Sequence, residues 1–287
     1  MNTGKKLTEP LRIARRRIRR ATEQMRVRNT LIYANLAVLG ERYGYPQGLA
    51  GKELRVFSQN GEDGVLAEIF HRIGTTTGFF VEFGIGGGLE GNSVLLADVH
   101  RWEGLFIEGS PTLHAQLQEK YEAIDQVRVL QALVSAENVE DLFASADVPA
   151  DLDLLSIDID SNDYWVWKAI NTYRPSVVVI EYNGSLDPTA TLTQPYRANE
   201  GWDGTDFYGC SLGALDHLGT QKGYRLIHAD LTGTNAFFVR DDLASLSEDC
   251  FPVLARRAST SFTDFRHTPD PRGRVYVDVR QLSLIHT

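Results

Sequence analysis

The chain of 287 residues predicts an α/β protein built on a doubly wound, Rossmann-like sheet. Seven strands are expected, the last of them antiparallel, with a helical arm in front. Three observations carry that expectation. Apolar runs alternate with stretches of helical period through residues 56–241, the pattern of a parallel sheet covered on both faces. One run, Gly78 to Phe83, ends in Gly84-Ile85-Gly86-Gly87-Gly88, a turn bare enough for a ligand to approach the backbone. The next run, Gly104 to Ile107, ends in Glu108, 20 residues past Gly88. A carboxylate at the tip of a second strand is placed to accept hydrogen bonds from two ribose hydroxyls.

Residues 8–39 read as one long helix, with Thr8 as N-cap and Pro10 in the first turn. Leu11, Ala14, Ile18, Ala21, Met25, Ile32, Leu36 and Leu39 make a narrow apolar seam. Its near-3.5 period suits either packing on its own domain or pairing in a homo-oligomer. Tyr43 to Gly48 then acts as a hinge. The arm (1–55) precedes a core domain (56–241) and a C-terminal extension (242–287).

A helix over 60–73 opens the core, with Ser58 as N-cap and Glu62 and Asp63 favourable in its first turn. Strands are expected near 79–83, 104–108, 127–131, 152–158 and 176–181. Helices near 91–101, 111–121, 138–145 and 162–172 alternate with them. Tyr224 to His228 and Ala236 to Val239, separated by Gly233, read as a terminal antiparallel pair. Between Asn183 and Phe207 the pattern lapses, and a loop this long is usually functional. Residues 184–207 read as a lid over the carboxyl ends of the strands, or as a plain surface excursion. Tyr196 and Trp202 within it, and Tyr208 just beyond, are the expected substrate contacts. The extension holds a helix and a strand-like run, Arg274 to Val279, for which pairing between subunits is one option.

Charge is uneven. Residues 1–30 carry ten Lys/Arg against two acids, +8, so the remainder holds −17 of a chain total of −9. An acidic body does not suggest a nucleic-acid enzyme. No apolar stretch approaches the roughly 18 residues of a membrane span. The basic N-terminus lacks the apolar region of a secretory signal, although an organellar transit peptide fits its composition. Cys210 and Cys250 offer neither a disulfide framework nor metal spacing, so the cytoplasm is the default location.

The glycines at 84, 86 and 88 fall as G-x-G-x-G, not as the G-x-G-x-x-G of a dinucleotide site. Glu82, two positions earlier, would repel a pyrophosphate but could pair with a ligand ammonium. E-x-G-x-G-x-G resembles motif I of the class I methyltransferases, whose donor S-adenosylmethionine has an ammonium, a ribose and no phosphate. An NAD-linked oxidoreductase is disfavoured by Glu82 and by the spacing. A non-catalytic scaffold, using the basic helix to bind a partner, is the third reading.

A second constellation follows the fourth strand: Asp158, Asp160, Asn162 and Asp163 within six residues. Glu181 and Asn183 repeat the theme after the fifth. Neighbouring strand tips lie about 4.8 Å apart, so side chains from both can meet at one ion. Asp158 or Asp160, with Glu181 and Asn183, offer hard oxygen ligands that suit Mg²⁺ or Mn²⁺. Such an ion lowers the pKa of a substrate hydroxyl. Two other readings stand beside it. Asp160 acts as a metal-free general base, or Asp158 and Asn162 merely cap the following helix. His228, ending the penultimate strand, is a further candidate base; His217 reads as a solvated surface residue.

The ordered set of motifs resembles the FkbM-type methyltransferases over about residues 56–241. It comprises Ser58-Gln59-Asn60-Gly61-Glu62-Asp63, Val81-Glu82-Phe83-Gly84, Ile107-Glu108-Gly109-Ser110, Ile157 through Tyr164, Ile180-Glu181-Tyr182-Asn183, Tyr208 to Leu212 and Gly233 to Phe238. The resemblance implies S-adenosylmethionine held by Glu82, Gly84, Gly86 and Glu108. It places Gln59 and Glu62 near the methionine end and Ser135 near the adenine, with Asp158 also at the cofactor. It further implies methylation of a hydroxyl on a small molecule such as a sugar or secondary metabolite. Related O-methyltransferases hold magnesium with acids at two strand tips, matching Asp158, Asp160 and Glu181. Where many FkbM-type sequences have Val-Glu-Gly after the fourth-strand aspartate, this chain has Ile159-Asp160-Ser161.

Overall fold

The structure, a computed structural model, describes residues 48–198, 201–244 and 267–282. The expected arm helix over 8–39, its apolar seam and Cys250 lie outside the described residues. The chain divides into compact units after Gly51, and the second unit contains the sheet.

That sheet has seven strands: β1 (Phe79–Phe83), β2 (Glu103–Glu108), β3 (Val127–Gln131), β4 (Leu154–Ile157), β5 (Val177–Glu181), β7 (Tyr224–Ala229) and β8 (Asn235–Arg240). Their order is β3-β2-β1-β4-β5-β8-β7, with β1 to β5 parallel and β8 antiparallel to both neighbours. A doubly wound sheet with an antiparallel last strand is what the alternation of runs predicts. Order reverses between β1 and β4, so the switch-point crevice opens at the carboxyl tips of those strands.

Helices α1 (Glu62–Ile73), α2 (Val94–Asp98), α3 (Pro111–Tyr121), α4 (Val139–Ser145), α5 (Asp163–Ala169), α6 (Leu212–Gln221), α7 (Asp241–Ala244) and α8 (Val279–Leu282) complete the described elements. Phe79, Val81 and Phe83 of β1 share one face with Leu105, Ile107, Leu155, Ile157, Val178 and Ile180. That face is covered by Val139 and Phe143 of α4, Trp167 of α5 and Leu215 of α6. Period-2 alternation sends Phe80, Glu82, Phe106, Ser156 and Val179 to the other face, where Tyr121 of α3 packs on Phe106 at 5.1 Å. Both faces are therefore buried, which is why the strands read as continuous apolar runs.

Several boundaries are tighter than the sequence suggests, each for a local reason. The expected helix 91–101 shortens to Val94–Asp98, because the N–H groups of Asn92 and Ser93 bind the Glu82 carboxylate. The helix expected to reach 172 stops at Ala169; Ile170 turns extended, and Asn171 and Thr172 donate to Glu140. Ser58 is not the N-cap of α1. Gly61 holds that position at φ 104°, while the Ser58 hydroxyl accepts from the Asp63 N–H. The strand-like run in the extension forms β9 (Val277–Asp278), which pairs with β6 (Leu192–Thr193) of the same chain.

Asp153 anchors the amino-terminal edge of the sheet. It is fully buried, and its carboxylate accepts from the N–H groups of Thr76, Thr77 and Gly78 and from the Thr76 hydroxyl. Burial pushes its pKa up, but those donors outweigh it and hold the group below the usual aspartate range. The stability it contributes is thus present above that range and lost as pH falls through the depressed folded value. Asp153→Ala is expected to cost about 3 kcal/mol in urea denaturation at neutral pH, since several donors lose one acceptor together. A cost below about 1 kcal/mol would contradict the anchoring role.

Candidate functional site

The turn after β1 is shaped by its glycines. Gly84, at φ 79°, brings the backbone so close to β4 that a Cβ there would lie 1.5 Å from the Asp158 carbonyl oxygen. Gly86, at φ 66°, faces open space, with nothing within 4 Å of a Cβ. Lys120 reaches from α3 to hold the turn, bonding the Gly88 carbonyl at 2.7 Å and Asp98 at 2.8 Å.

Glu108 lies at the tip of β2, mostly buried, where its oxygens accept from Gly86 N–H and Ser110 N–H, both at 2.7 Å. A carboxylate has about four acceptor sites, so each oxygen keeps one for a ligand. Glu82 is bonded in a similar way. Its oxygens accept from Asn92 N–H and Ser93 N–H at 2.8 Å each, and the residue is 3 % exposed. Burial pushes its pKa up to about 7 against the pull of those two bonds. Glu82 therefore ties the glycine turn to α2.

Glu62 is buried at the start of α1 and accepts from Asn60 N–H and, at 2.7 Å, from the Asn235 amide. Gln59 is exposed on the preceding turn. Ser135 and Tyr196 both hydrogen-bond the Glu137 carboxylate, so the structure joins Tyr196 to the expected adenine side. The Tyr196 ring also stands 5.9 Å from Trp165.

At the tips of β4 and β5, Asp158, Asp160 and Glu181 each bring one carboxylate oxygen within 4.8 Å of the others. Asp160 is exposed and sits at φ 60°, a left-handed conformation that costs a non-glycine residue energy and clusters at functional sites. The turn that presents it is tied by Asp163, fully buried, which accepts from Ile159 N–H at 2.9 Å and Ser161 N–H at 3.0 Å. Asn162 stands at the N-cap of α5 without a side-chain cap bond; its amide instead bonds the Arg197 carbonyl and the Gln194 side chain. Burial raises the pKa of Asp158 and of Glu181 well above the carboxylate range, and the neighbouring acids raise both further. Burial also raises Asp160, partly offset by the imidazole of His267.

Two expected site residues have partners elsewhere. Asn183 does not join the cluster. Its amide nitrogen bonds the carbonyls of Asp206 and Tyr208 and the Tyr276 hydroxyl, and its oxygen accepts from Ser185 N–H. His228 is 3 % exposed, and its Nε2 pairs with Glu53 at 2.9 Å. His217 bonds Gln221 on the outer side of α6, as a surface residue does.

The sequence pattern gave no signal for the residues that the C-terminal extension contributes. Residues 267–282 lie along the 184–207 loop. Asp206 N–H donates to the Thr268 carbonyl, and Arg274 bonds Asp203, Thr205 and Asp270 while lying 4.5 Å above the Phe207 ring. The Tyr276 hydroxyl donates to the Asp206 carbonyl at 3.0 Å and accepts from Tyr208 N–H and Asn183. His267 packs edge-on against Trp202 at 4.7 Å and Tyr208 at 5.4 Å, completing an aromatic wall next to Asp160. A cavity of about 340 Å³ between loop and extension is lined by Leu186, Phe207, Arg274 and Tyr276; the carboxylate cluster does not border it.

The residues present fit a divalent cation. All three ligand candidates are hard oxygens, and the buried Glu181 Oε2 has no hydrogen-bond partner. An orphaned carboxylate oxygen among like charges is stabilised by a cation or by a proton.

No family model matches the chain, and no curated protein matches it. Among solved structures it is similar to the N-terminal domain of EvdMO1 with SAH bound, at 14 % identity over 64 % of this chain and 80 % of that one, with a TM-score of 0.42. It is also similar to a S-adenosylmethionine-dependent methyltransferase from Clostridium acetobutylicum, at 10 % identity over 61 % and 89 % with a TM-score of 0.38. The mitomycin 7-O-methyltransferase MmcR matches at 14 % identity over 62 % and 54 % with a TM-score of 0.36. At such identity and TM-score none of these likenesses carries an argument about this chain's chemistry.

Two outcomes follow from the site itself. Folding raises the pKa of Glu82, Asp158, Asp163, Glu181 and Asp230, so the folded state takes up protons that the unfolded state has released. Their contribution is full below the ordinary carboxylate pKa, and that of Glu82, Asp163 and Asp230 is lost as pH rises through about 7. The unliganded protein is therefore expected to melt several degrees lower at pH 8 than at pH 5.5, given about 2–4 °C per kcal/mol for a chain of this size. A flat or rising scanning-fluorimetry profile would contradict it. Tyr276→Phe removes the hydroxyl hub of the loop and is expected to speed limited proteolysis within 184–207 about tenfold, equivalent to roughly 1.4 kcal/mol of local opening. Unchanged cleavage there would remove Tyr276 from that role.

Proposed function

We propose that the chain is an S-adenosylmethionine-dependent O-methyltransferase acting on a hydroxyl of a small polar molecule, assisted by Mg²⁺ or Mn²⁺. The observation that carries this reading is the pairing of Glu108 with Gly86. A strand-tip carboxylate with free acceptor capacity stands beside a glycine whose Cα faces open space, at the switch point of the sheet. A ribose diol fits the carboxylate, and bare peptide lets the adenosyl group lie against the turn. The acids along the same edge disfavour a diphosphate and favour a cationic donor. A sulfonium is such a donor.

Within this reading Gly84 and Gly86 shape the cradle, Glu108 holds the ribose, Glu62 stands toward the methionine end and Ser135 toward the adenine. Glu82 and Lys120 fix the turn from behind. Trp202, Tyr208 and His267 wall the acceptor side. Transfer is an in-line displacement. The acceptor oxygen attacks the methyl carbon, the carbon–sulfur bond breaks, and its electron pair stays on sulfur to give S-adenosylhomocysteine. Most of the acceleration comes from holding oxygen and methyl at attack distance. The acceptor proton passes to Asp160, the exposed carboxylate of the cluster, when no ion is held, and to solvent water when an ion has lowered the hydroxyl pKa. An ion held by Asp158, Asp160 and Glu181 would supply Lewis acidity that lowers the hydroxyl pKa.

Isothermal titration with S-adenosylhomocysteine is expected to show one site per chain. Glu108→Ala should weaken it by at least about tenfold, because two hydroxyls lose a charged acceptor. Uptake of NAD(P) with no affinity for S-adenosylmethionine or S-adenosylhomocysteine would overturn the reading.

A further inference from the structure

We propose that Asn235 supplies an amide oxygen ligand to a divalent-cation site formed with Asp158, Asp160 and Glu181. The inference rests on the metal-assisted part of the reading above and assigns to Asn235 the place that the sequence suggests for Asn183.

Asn235 opens β8 directly opposite Glu181 in the antiparallel ladder, so the two side chains stand on the same face. Opposed residues in such a ladder have Cβ atoms about 4.5–5.5 Å apart. Ile157 of β4 pairs with Ile180 of β5, so Asp158 comes next in register beside Glu181. Asp158, Glu181 and Asn235 thus form one row across three adjacent strand tips.

The orientation of the Asn235 amide is fixed by its neighbour. Nδ2 donates to Glu62 Oε1 at 2.7 Å, and a carboxylate accepts only, so the amide nitrogen must face Glu62 and the oxygen must face away. That oxygen is buried with no hydrogen-bond partner, and Asn235 is 3 % exposed. Glu181 Oε2, on the directly opposed side chain, is likewise buried and without a partner. Leaving one such acceptor unmatched costs about 1–3 kcal/mol, so two on facing residues call for a shared electron-poor partner. Hard divalent cations take carboxylate and amide oxygens together. Glu62 then acts behind the ligand, holding Asn235 in the coordinating orientation, as outer partners do at metal sites. The rival occupant is a proton on Glu181 donated to Asn235.

Titration of the full chain with Mn²⁺, read by loss of the free aqua-ion signal in electron paramagnetic resonance, separates the two. One Mn²⁺ per chain, displaced by Mg²⁺, is expected, with Asn235→Ala weakening it about 10–100-fold. Crystals soaked in MnCl₂ give a second measurement on the unaltered protein. An anomalous peak is expected within about 2–2.5 Å of Asn235 Oδ1 and of carboxylate oxygens from the cluster. No Mn²⁺ binding, unchanged affinity in a folded Asn235→Ala chain, or a peak that leaves Asn235 uncoordinated would each overturn the inference. If S-adenosylhomocysteine still binds in those cases, the methyltransferase reading stands and only the metal site falls.

Discussion

Buried carboxylates that accept backbone N–H groups hold the turns of this sheet in place. Asp63 gathers the N–H groups of Val56, Phe57 and Ser58 before α1. Glu82 fastens the start of α2, Glu108 the glycine turn and the start of α3, and Asp163 the turn between β4 and α5. Asp230 closes the hairpin between β7 and β8 by accepting from Gly233, Thr234 and Asn235. Turn and helix-start N–H groups that lack a ladder partner need an acceptor, and a carboxylate serves two or three at once. The acids that hold no turn stand out against this background. Asp158, Asp160 and Glu181 accept no hydrogen bond in the hydrogen-bond network of the turns, yet they converge within 4.8 Å. An arrangement that adds repulsion and burial without tying the fold is explained by what it binds.

The two edges of the sheet show the same chemistry with opposite signs. At the amino edge Asp153 is surrounded by donors and is held in its ionised form. At the carboxyl edge donors are too few for the acids present. Burial there pushes Glu82, Asp163 and Asp230 up to about 7, and raises Asp158 and Glu181 well above the carboxylate range. The shortage of donors is local to the strand tips, where the chain leaves a gap for a ligand. The cation proposed for this site would supply what the fold withholds, and its affinity would be linked to release of the protons that otherwise occupy the acids.

The sheet was legible in the sequence because buried parallel strands have a short, wholly apolar signature and glycine punctuates their ends. β1, β3 and α3 begin and end where periodicity places them. The row of strand-tip acids was legible for the same reason, since position at the end of an apolar run fixes depth in the sheet. Orientation was not legible. Glu82 pairs with Phe106, two positions short of Glu108, and the path of the chain after β1 brings Asn92 and Ser93 onto its carboxylate. Asn183 and Asn235 are both amides beside Glu181, one following it in the chain and the other opposite it in the ladder. Sequence proximity favours Asn183, but its amide is engaged by the loop and by Tyr276. Cross-strand register is a long-range property that one chain's periodicity does not encode.

The extension shows how a long-range contact completes a site that local sequence leaves open. The 184–207 loop has little internal support: β6 is two residues long, and Asp203 to Phe207 form no strand or helix. Its order comes from residues some seventy positions later. Arg274 neutralises Asp203 and Asp270 while covering Phe207, and Tyr276 joins the loop to Asn183 just past the tip of β5. The same segment sets His267 between Trp202 and Tyr208. The acceptor wall and the carboxylate cluster are therefore coupled through Asn183. It follows Glu181 by two residues and bonds both the loop backbone and the extension, so a shift of the loop reaches the cluster through one short piece of chain. In the proposed enzyme an acceptor that presses on the aromatic wall would bear on the position of the Glu181 carboxylate.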